Sequence, residues 1–266
     1  MTVAREPRLR PWSGVAGFGA AVAITTRHGG VSVGPFESLN LGLHVGDQPA
    51  RVVANRERAA AAFGVDLDAT VFAEQVHGSA VAVVGPAERG RGTRSMDDAI
   101  PATDILLTTD PGTTLVMLVA DCVPVALIDP AAPVLAVVHA GWRGTAAQAV
   151  AQAVAAMAQH GGRPERMVAY LGPAVHPSRY QVDTEVQRAL ARAVAPDPLA
   201  PEVARADGPD HWRADLIAAN RQQLVRAGLR PANIYDSGAS TADDDYFSDR
   251  ACRPCGRFAL LARLLA

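Results

Sequence analysis

The sequence predicts a mixed α/β fold: a single layered domain in which mixed β-sheets are flanked by helices. Three observations carry this. Short runs rich in Val, Ile and Leu, each bounded by turn residues, recur through the middle of the chain. Alanine-rich segments of helical character alternate with them. Apolar residues make up 49% of the 266 positions, enough for one sizeable core, and their even spread excludes a disordered chain. Composition does not shift along the sequence and no repeat of solenoid period occurs. The expected organisation is therefore an N-terminal extension over residues 1–20 and one domain over 21–266.

The elements follow in order. Ala50–Phe63 reads as a helix. Val71–Val84 reads as β-structure turning at Gly78, and Gly85–Pro101, with its Gly, Arg and Asp cluster, reads as a loop. Asp104–Thr109, Thr114–Val119, Val123–Ile128 and Val134–His139 are strand-like apolar runs. Thr145–His160 is alanine-rich and stops at Gly161 and Gly162, which marks a helix with its C-terminal end. A strand near Arg166–Leu171, a helix at Thr184–Val194, a proline-rich loop at Ala195–Pro209, a helix at Ala214–Ala227 and a strand near Asn233–Tyr235 complete the expectation.

Composition also excludes chemistry. All 25 Lys+Arg residues are arginine. A chain without lysine has no Schiff-base lysine, no lysine-anchored pyridoxal cofactor, no P-loop lysine and no lysine general base. Every cationic side chain other than histidine is a permanent guanidinium, so proton transfer near neutral pH falls to His, Cys, Asp, Glu, Tyr or a metal-bound water. A net charge of −2 and a pI of about 6.4 speak against nucleic acid or an anionic membrane as partner. The longest apolar stretch, Thr113–Ile128, is broken by Asp121, Cys122 and Pro124 and is too short to span a bilayer. Residues 1–20 carry no continuous apolar h-region, so no signal peptide is expected. Three cysteines do not make a disulfide framework, and a reducing cytoplasm is the expected compartment.

One stretch makes a geometric prediction. Val123–Asp129 runs out, Pro130–Pro133 turns, and Val134–His139 runs back. In an antiparallel hairpin a residue near 124 faces one near 139, which brings Cys122 and His139 to the same end within reach of a shared ion. Asp121 adds a polar neighbour. Gly141, Trp142, Arg143 and Gly144 follow His139, with a helix expected from Thr145. A strand, a glycine turn and a helix N-terminus together offer backbone N–H groups to an anion, and Arg143 adds a fork suited to phosphate or carboxylate. A catalytic zinc takes three protein ligands and keeps one position open. His77, which ends an apolar run at Gly78, is the best third ligand, with His28 and His44 in glycine-rich loops as runners-up. His160 is placed to act on a helix dipole, and His176 and His211 read as surface or capping residues.

The motifs carry a resemblance. Thr25 to Gly30 (TTRHGG), Ser38 to Gly42 (SLNLG), Gln75 to Gly78 (QVHG), Ala120 to Pro124 (ADCVP), His139 to Gly144 (HAGWRG) and Leu171 to Ala174 (LGPA) occur in order, and the segment from Tyr246 to Arg257 matches more loosely. Together they resemble the bacterial laccase-domain family, once labelled multicopper polyphenol oxidases, later purine nucleoside phosphorylases, and also linked to peptidoglycan editing. The resemblance implies zinc held by His77, Cys122 and His139, which are also the expected catalytic residues. It implies phosphorolysis of adenosine, inosine and methylthioadenosine, with deamination of adenosine beside it. Its small-molecule partners are then a purine nucleoside and phosphate. Arg27, which reads equally well as the partner of a loop-bracing ion pair, and Arg143 are the expected phosphate ligands and Asn40 the positioner of ribose or base; Arg250 and Arg257 carry over from the C-terminal segment. The chain is expected to act as a monomer or small homo-oligomer.

Departures from the family pattern limit the transfer. A cysteine-bearing segment common before the Tyr246–Ser248 run reads Ser240 to Asp244 here, without cysteine, and Arg250 is followed by Ala251 and Cys252. Cys252 and Cys255 form a CxxC that reads either as a redox or metal pair or as two ordinary cysteines beside a packed C-terminal strand. Copper is the alternative ion and phenol oxidation the alternative reaction. A multicopper oxidase, however, needs many more histidine ligands than the seven scattered here. A hydrolase of a cell-wall precursor would use the same three ligands. A purely structural zinc is disfavoured by the open fourth position and the flanking arginines.

Overall fold

Side chains of the wholly buried central strands point alternately into two cores, and this sets the layers. The computed structural model describes residues 6–15, 17–194 and 203–265. Its strands are β1 (Leu9–Pro11), β2 (Ala20–Thr25), β3 (Thr70–Val71), β4 (Val81–Val83), β5 (Ile105–Thr108), β6 (Thr114–Val119), β7 (Val123–Asp129), β8 (Val134–Ala140), β9 (Val168–Leu171), β10 (Gln181–Asp183), β11 (Ala204–Ala206), β12 (His211–Ala214), β13 (Ile234–Asp236) and β14 (Phe258–Leu264). The helices are α1 (Pro49–Phe63), α2 (Trp142–Ala146), α3 (Ala149–Gln159), α4 (Thr184–Val194) and α5 (Leu216–Arg226). A six-stranded mixed sheet has the order β13-β9-β7-β8-β5-β4, a five-stranded mixed sheet the order β1-β2-β14-β6-β3, and a small antiparallel sheet the order β10-β12-β11.

Val125 and Leu127 of β7 and Val134, Ala136 and Val138 of β8 face α3, α4 and α5. Their neighbours Ala126, Ile128, Leu135 and Val137 face the other way, against Ile24, Leu115, Met117 and Leu260 of the five-stranded sheet. The outer face of that sheet, with Val116, Leu118 and Leu261, is covered by α1 and by Leu39 and Leu41. The result is a helix–sheet–sheet–helix stack, the mixed α/β class the sequence predicts. Period-two alternation of apolar residues serves two cores at once, which is why the runs look uniformly apolar. Each fully buried Leu, Ile or Val contributes about 1.5–3 kcal/mol. Among the described residues no helix is long and apolar enough to cross a membrane.

The hairpin β7–β8 has the expected register, with Pro124 opposite His139 and Val123 opposite Ala140. Its closed end is sealed by Asp129, 1% exposed, which accepts hydrogen bonds from the N–H groups of Ala131 (2.9 Å) and Arg163 (2.8 Å) and from Arg166 Nη2 (2.7 Å). Burial pushes the Asp129 carboxyl up, and these donors more than offset it, leaving it below the usual carboxylate range. A depressed folded pKa gives stability that is present above the unfolded value of about 3.9 and is lost as pH falls through the folded one. Asp129→Asn should therefore cost about 1–3 kcal/mol at neutral pH. The gap in melting temperature to wild type should close as pH drops below about 3.9; a gap independent of pH would refute the assignment.

Several elements differ from expectation. The helix expected over Thr145–His160 is broken at Gln148, whose φ of 58° separates α2 from α3, and helix already begins at Trp142 after Gly141. The reason lies in α5: Gln223 Nε2 donates to the Thr145 carbonyl (2.8 Å) and Asn220 Nδ2 to the Thr145 hydroxyl (3.0 Å), so α5 engages the carbonyl that a continuous helix would offer to residue 149. The β-structure expected over Val71–Val84 is reduced to its two ends, because residues between them are held by side chains rather than by a ladder. The Gly85–Pro101 loop contains one short 3-10 turn at Pro86–Glu88. Of the loop expected at Ala195–Pro209, residues 195–202 lie outside the described residues, and Ala204–Ala206 is a strand. Strands β1, β2, β10, β12 and β14 arise without a residue range expected from sequence; β1 pairs with β2, and β2 with β14, which places Leu9–Pro11 in the five-stranded sheet.

Candidate metal centre and cleft

The chain crosses from one sheet to the other between β6 and β7, and the turn Ala120–Cys122 that makes the crossing carries the first candidate ligand. Asp121 takes a left-handed φ of 83° there, a costly conformation for a non-glycine residue. Its carboxylate secures it: Oδ1 accepts from the hydroxyls of Thr241 (2.5 Å) and Ser248 (2.7 Å), and Oδ2 from the Arg250 N–H (2.6 Å). Asp121 thereby ties the 241–250 segment to the turn that presents Cys122.

His77, Cys122 and His139 bring their ligand atoms within 4.8 Å of one another. His77 is exposed, Cys122 half-buried and His139 buried, so the group opens to solvent on the His77 side. Asp104, wholly buried at the start of β5, organises two of the three. Its Oδ1 bonds His139 Nδ1 at 2.7 Å, and the same carboxylate accepts the N–H groups of Val76 (3.2 Å), His77 (3.0 Å) and Gly78 (2.6 Å). These bonds hold His77 at a φ of 63° and turn the free Nε2 of His139 toward the cysteine. Gln75 completes the support by pairing through its side-chain amide with both the N–H (2.9 Å) and the carbonyl (2.7 Å) of Leu118 in β6.

Electrostatics favour a metal-ready cysteine. Burial pushes the Cys122 thiol up, but His139 and His77 outweigh it and bring it down to about 6. Burial disfavours a charged His139, yet the Cys122 thiolate and Asp104 outweigh that and raise it to about 9. Burial and the guanidinium of Arg257 lower His44 to about 4, so its ring is neutral at physiological pH. One thiolate and two imidazoles suit zinc and other borderline ions.

Gly141 is required at this point. A Cβ there would lie 2.7 Å from Cys122 Sγ and 3.3 Å from His77 Cδ2. Gly141→Ala should leave the fold standing but displace two of the three candidate ligands. The expected outcome is about a hundredfold less activity and reduced metal content, with little change in melting temperature. Full metal occupancy and wild-type activity in that variant would refute the packing argument.

A cleft of about 430 Å³ opens above these three side chains, within the usual range for a small-molecule site. Its walls include His44, Trp142, Tyr180, Asp249 and the arginines at 143, 250, 253 and 257. Arg143 lies over the Trp142 ring (4.3 Å) and Arg250 over Tyr180 (5.1 Å). Asp249 engages Arg253 and Arg257, leaving Arg143 and Arg250 without a carboxylate among the described residues.

The structure brings together His77, Cys122, His139, Arg143, Arg250 and Arg257 of the sequence-derived set, and it places Arg27 and Asn40 elsewhere. Arg27 donates from Nε to the Glu37 carbonyl (3.0 Å) and lies over Phe247 (4.6 Å), bracing a loop without an ion pair among the described residues. Asn40 is fully buried; its Oδ1 accepts from the N–H groups of Gly42 (2.9 Å) and Arg257 (2.9 Å), so it shapes the cleft wall from behind. Of the runners-up, His28 bonds Asp245 (3.0 Å) away from the cleft, whereas His44 lines it. His160 bonds the Ala156 carbonyl (2.9 Å) at the end of α3, and His176 caps the turn at Pro177–Arg179. Cys252 is exposed and Cys255 buried, the latter contacted by Arg257 Nη1 at 3.2 Å. Asp104 and Tyr180 were given no role by sequence reasoning, and Gln75 entered it only as part of its motif.

Residues 21–264 match the family described as multi-copper polyphenol oxidoreductase laccase. The chain belongs to this laccase family. Its relatives include the purine nucleoside phosphorylase YlmD of Geobacillus stearothermophilus, 38% identical over 88% of this chain and 86% of that one. A purine nucleoside phosphorylase of Streptomyces griseus is 46% identical over 96% of each chain. The crystal structure of YlmD from Geobacillus stearothermophilus superposes with a TM-score of 0.92 at 36% identity, covering 100% of this laccase-family chain and 98% of that one.

Proposed function

We propose that the cleft is the active site of a zinc-dependent purine nucleoside phosphorylase of the cytoplasm. It converts adenosine, inosine or S-methyl-5′-thioadenosine and phosphate to free base and pentose 1-phosphate, with adenosine deamination as a second activity. The observation that carries this reading is the convergence of one thiolate and two imidazoles on the floor of an arginine-walled cleft, in a chain whose relatives are named purine nucleoside phosphorylases. His77, Cys122 and His139 would hold the ion, which when bound supplies Lewis acidity and activates water near neutral pH.

The chain's own residues do the rest. Asp104 keeps the proton of His139 on Nδ1, so that Nε2 faces the cleft. Arg143 and Arg250, each laid over an aromatic ring and free of a carboxylate among the described residues, present planar forks to phosphate and hold it against the sugar. Tyr180, Trp142 and the neutral ring of His44 give the purine an aromatic wall. Among the described residues one group of three ligating side chains is present, which favours a single ion over several coppers.

Incubation of metal-replete protein with adenosine, with and without phosphate, tests the proposal. Adenine formed only with phosphate is the expected result, and inosine marks deamination. No turnover of any nucleoside would overturn it. Arg143→Ala combined with Arg250→Ala should raise the KM for phosphate at least about tenfold, with a weakened salt dependence. An unchanged KM would remove these residues from the phosphate site.

A further inference from the structure

A second cavity, of about 490 Å³, lies between the β1 edge and the ends of β9 and β13 and shares no lining residue with the metal cleft. Trp12 stacks on Tyr170 (5.0 Å between centroids) and meets Tyr235 at a tilt (5.4 Å). Tyr170 and Tyr246 are only 8% and 4% exposed and line this cavity, yet among the described residues neither hydroxyl has a hydrogen-bond partner. The rings are nearly buried while both hydroxyls open onto the cavity, where water or a ligand meets them. Burial pushes Tyr170 up to about 12, so its hydroxyl stays neutral.

Three carboxylates also line the cavity. Asp245 is taken by Arg10 and His28. Asp236 receives only the Gly238 N–H (2.9 Å) and Asp243 only the Ser240 N–H (3.2 Å), and neither has an ion-pair partner among the described residues. Arg10 also lines the cavity but is engaged by Asp245, so two carboxylates met otherwise by water remain to repel an anion and attract a cation. A cation with an apolar body satisfies every group at once: its N–H donors reach the carboxylates and phenols, and its body packs on the rings.

We propose that this cavity is a second ligand site, which takes a small organic cation of the alkylguanidinium or alkylammonium class. The charge sits against Asp236 and Asp243, the N–H groups donate to the hydroxyls of Tyr170 and Tyr246, and the alkyl body lies along Trp12 and Tyr235. The site is independent of whichever substrate the metal cleft turns over.

Calorimetric titration of the zinc-loaded full chain with agmatine, which carries a guanidinium and an ammonium, tests this. Saturable one-to-one binding with a change in Trp12 fluorescence is expected. Asp236→Asn combined with Asp243→Asn, at two exposed positions, should weaken it at least about tenfold, and Tyr170→Phe by a smaller factor. Arg143→Ala should bind agmatine as wild type does. Three outcomes would overturn the proposal: no saturation at millimolar agmatine, unaltered binding in the folded double variant, or displacement of agmatine by adenosine.

Discussion

Substitution His139→Ala is expected to remove the metal and the activity together. His139 is 4% exposed, shares its cluster with His77 and Cys122, and owes its orientation to Asp104. Loss of a hydrogen bond that merely supports a ligand costs about 10–100-fold in affinity or activity, and loss of the ligand itself should exceed that. With one imidazole gone, a thiolate and an exposed histidine remain, too few to hold zinc in a catalytic geometry. Metal analysis of the purified variant, nucleoside turnover and a thermal melt separate the possibilities. Zinc absent, turnover undetectable and a cooperative melt retained is the expected pattern. Turnover that survives with metal still bound would take His139 out of the site. His160→Ala supplies the control, because that ring sits exposed on the last turn of α3 and should change neither metal content nor rate.

The central hairpin was legible because its cause is local. Two apolar runs around the Pro130–Pro133 turn admit one sensible register, and that register alone brings Cys122 and His139 to one end. His77 needed a motif, since its approach to the hairpin depends on Asp104 accepting three successive N–H groups, a contact between residues 26–28 positions apart in sequence. Nothing in the run Thr103–Ile105 distinguishes that aspartate from a strand-end polar residue.

Motif membership misled at Arg27 and Asn40 for a related reason. A sequence motif records that a residue is needed, without separating one that meets substrate from one that holds a loop. Asn40 belongs to a buried polar network with Asp47, Asn55 and Ser32, and that network fixes the loop carrying His44. The break at Gln148 was hidden too, since alanine-rich sequence favours continuous helix and the opposing hydrogen bonds come from α5, far along the chain.

Asp104 carries the other large expected effect, and two substitutions divide its roles. Asp104→Ala leaves three N–H groups around His77 without an acceptor and a buried histidine without its partner. Loss of a buried, charged network member of this kind costs about 3–5 kcal/mol, so a sharp fall in melting temperature is expected. Asp104→Asn keeps the volume and one acceptor oxygen. Its amide N–H₂ replaces either Oδ2, where it meets the N–H donors of Val76 and Gly78, or Oδ1, where it meets one donor, the His77 N–H, together with His139 Nδ1. In the second arrangement the amide donates to Nδ1 and drives the ring proton onto Nε2, the nitrogen that must face the metal. The variant should then fold with a modest loss of stability and bind zinc about 10–100-fold more weakly in a chelator competition, with activity per bound zinc reduced as well. A purely structural aspartate would lower the melting temperature and leave zinc affinity untouched in the folded variant. Unchanged affinity in Asp104→Asn would therefore confine Asp104 to holding the His77 loop, whereas a weakened one places it in control of the His139 tautomer.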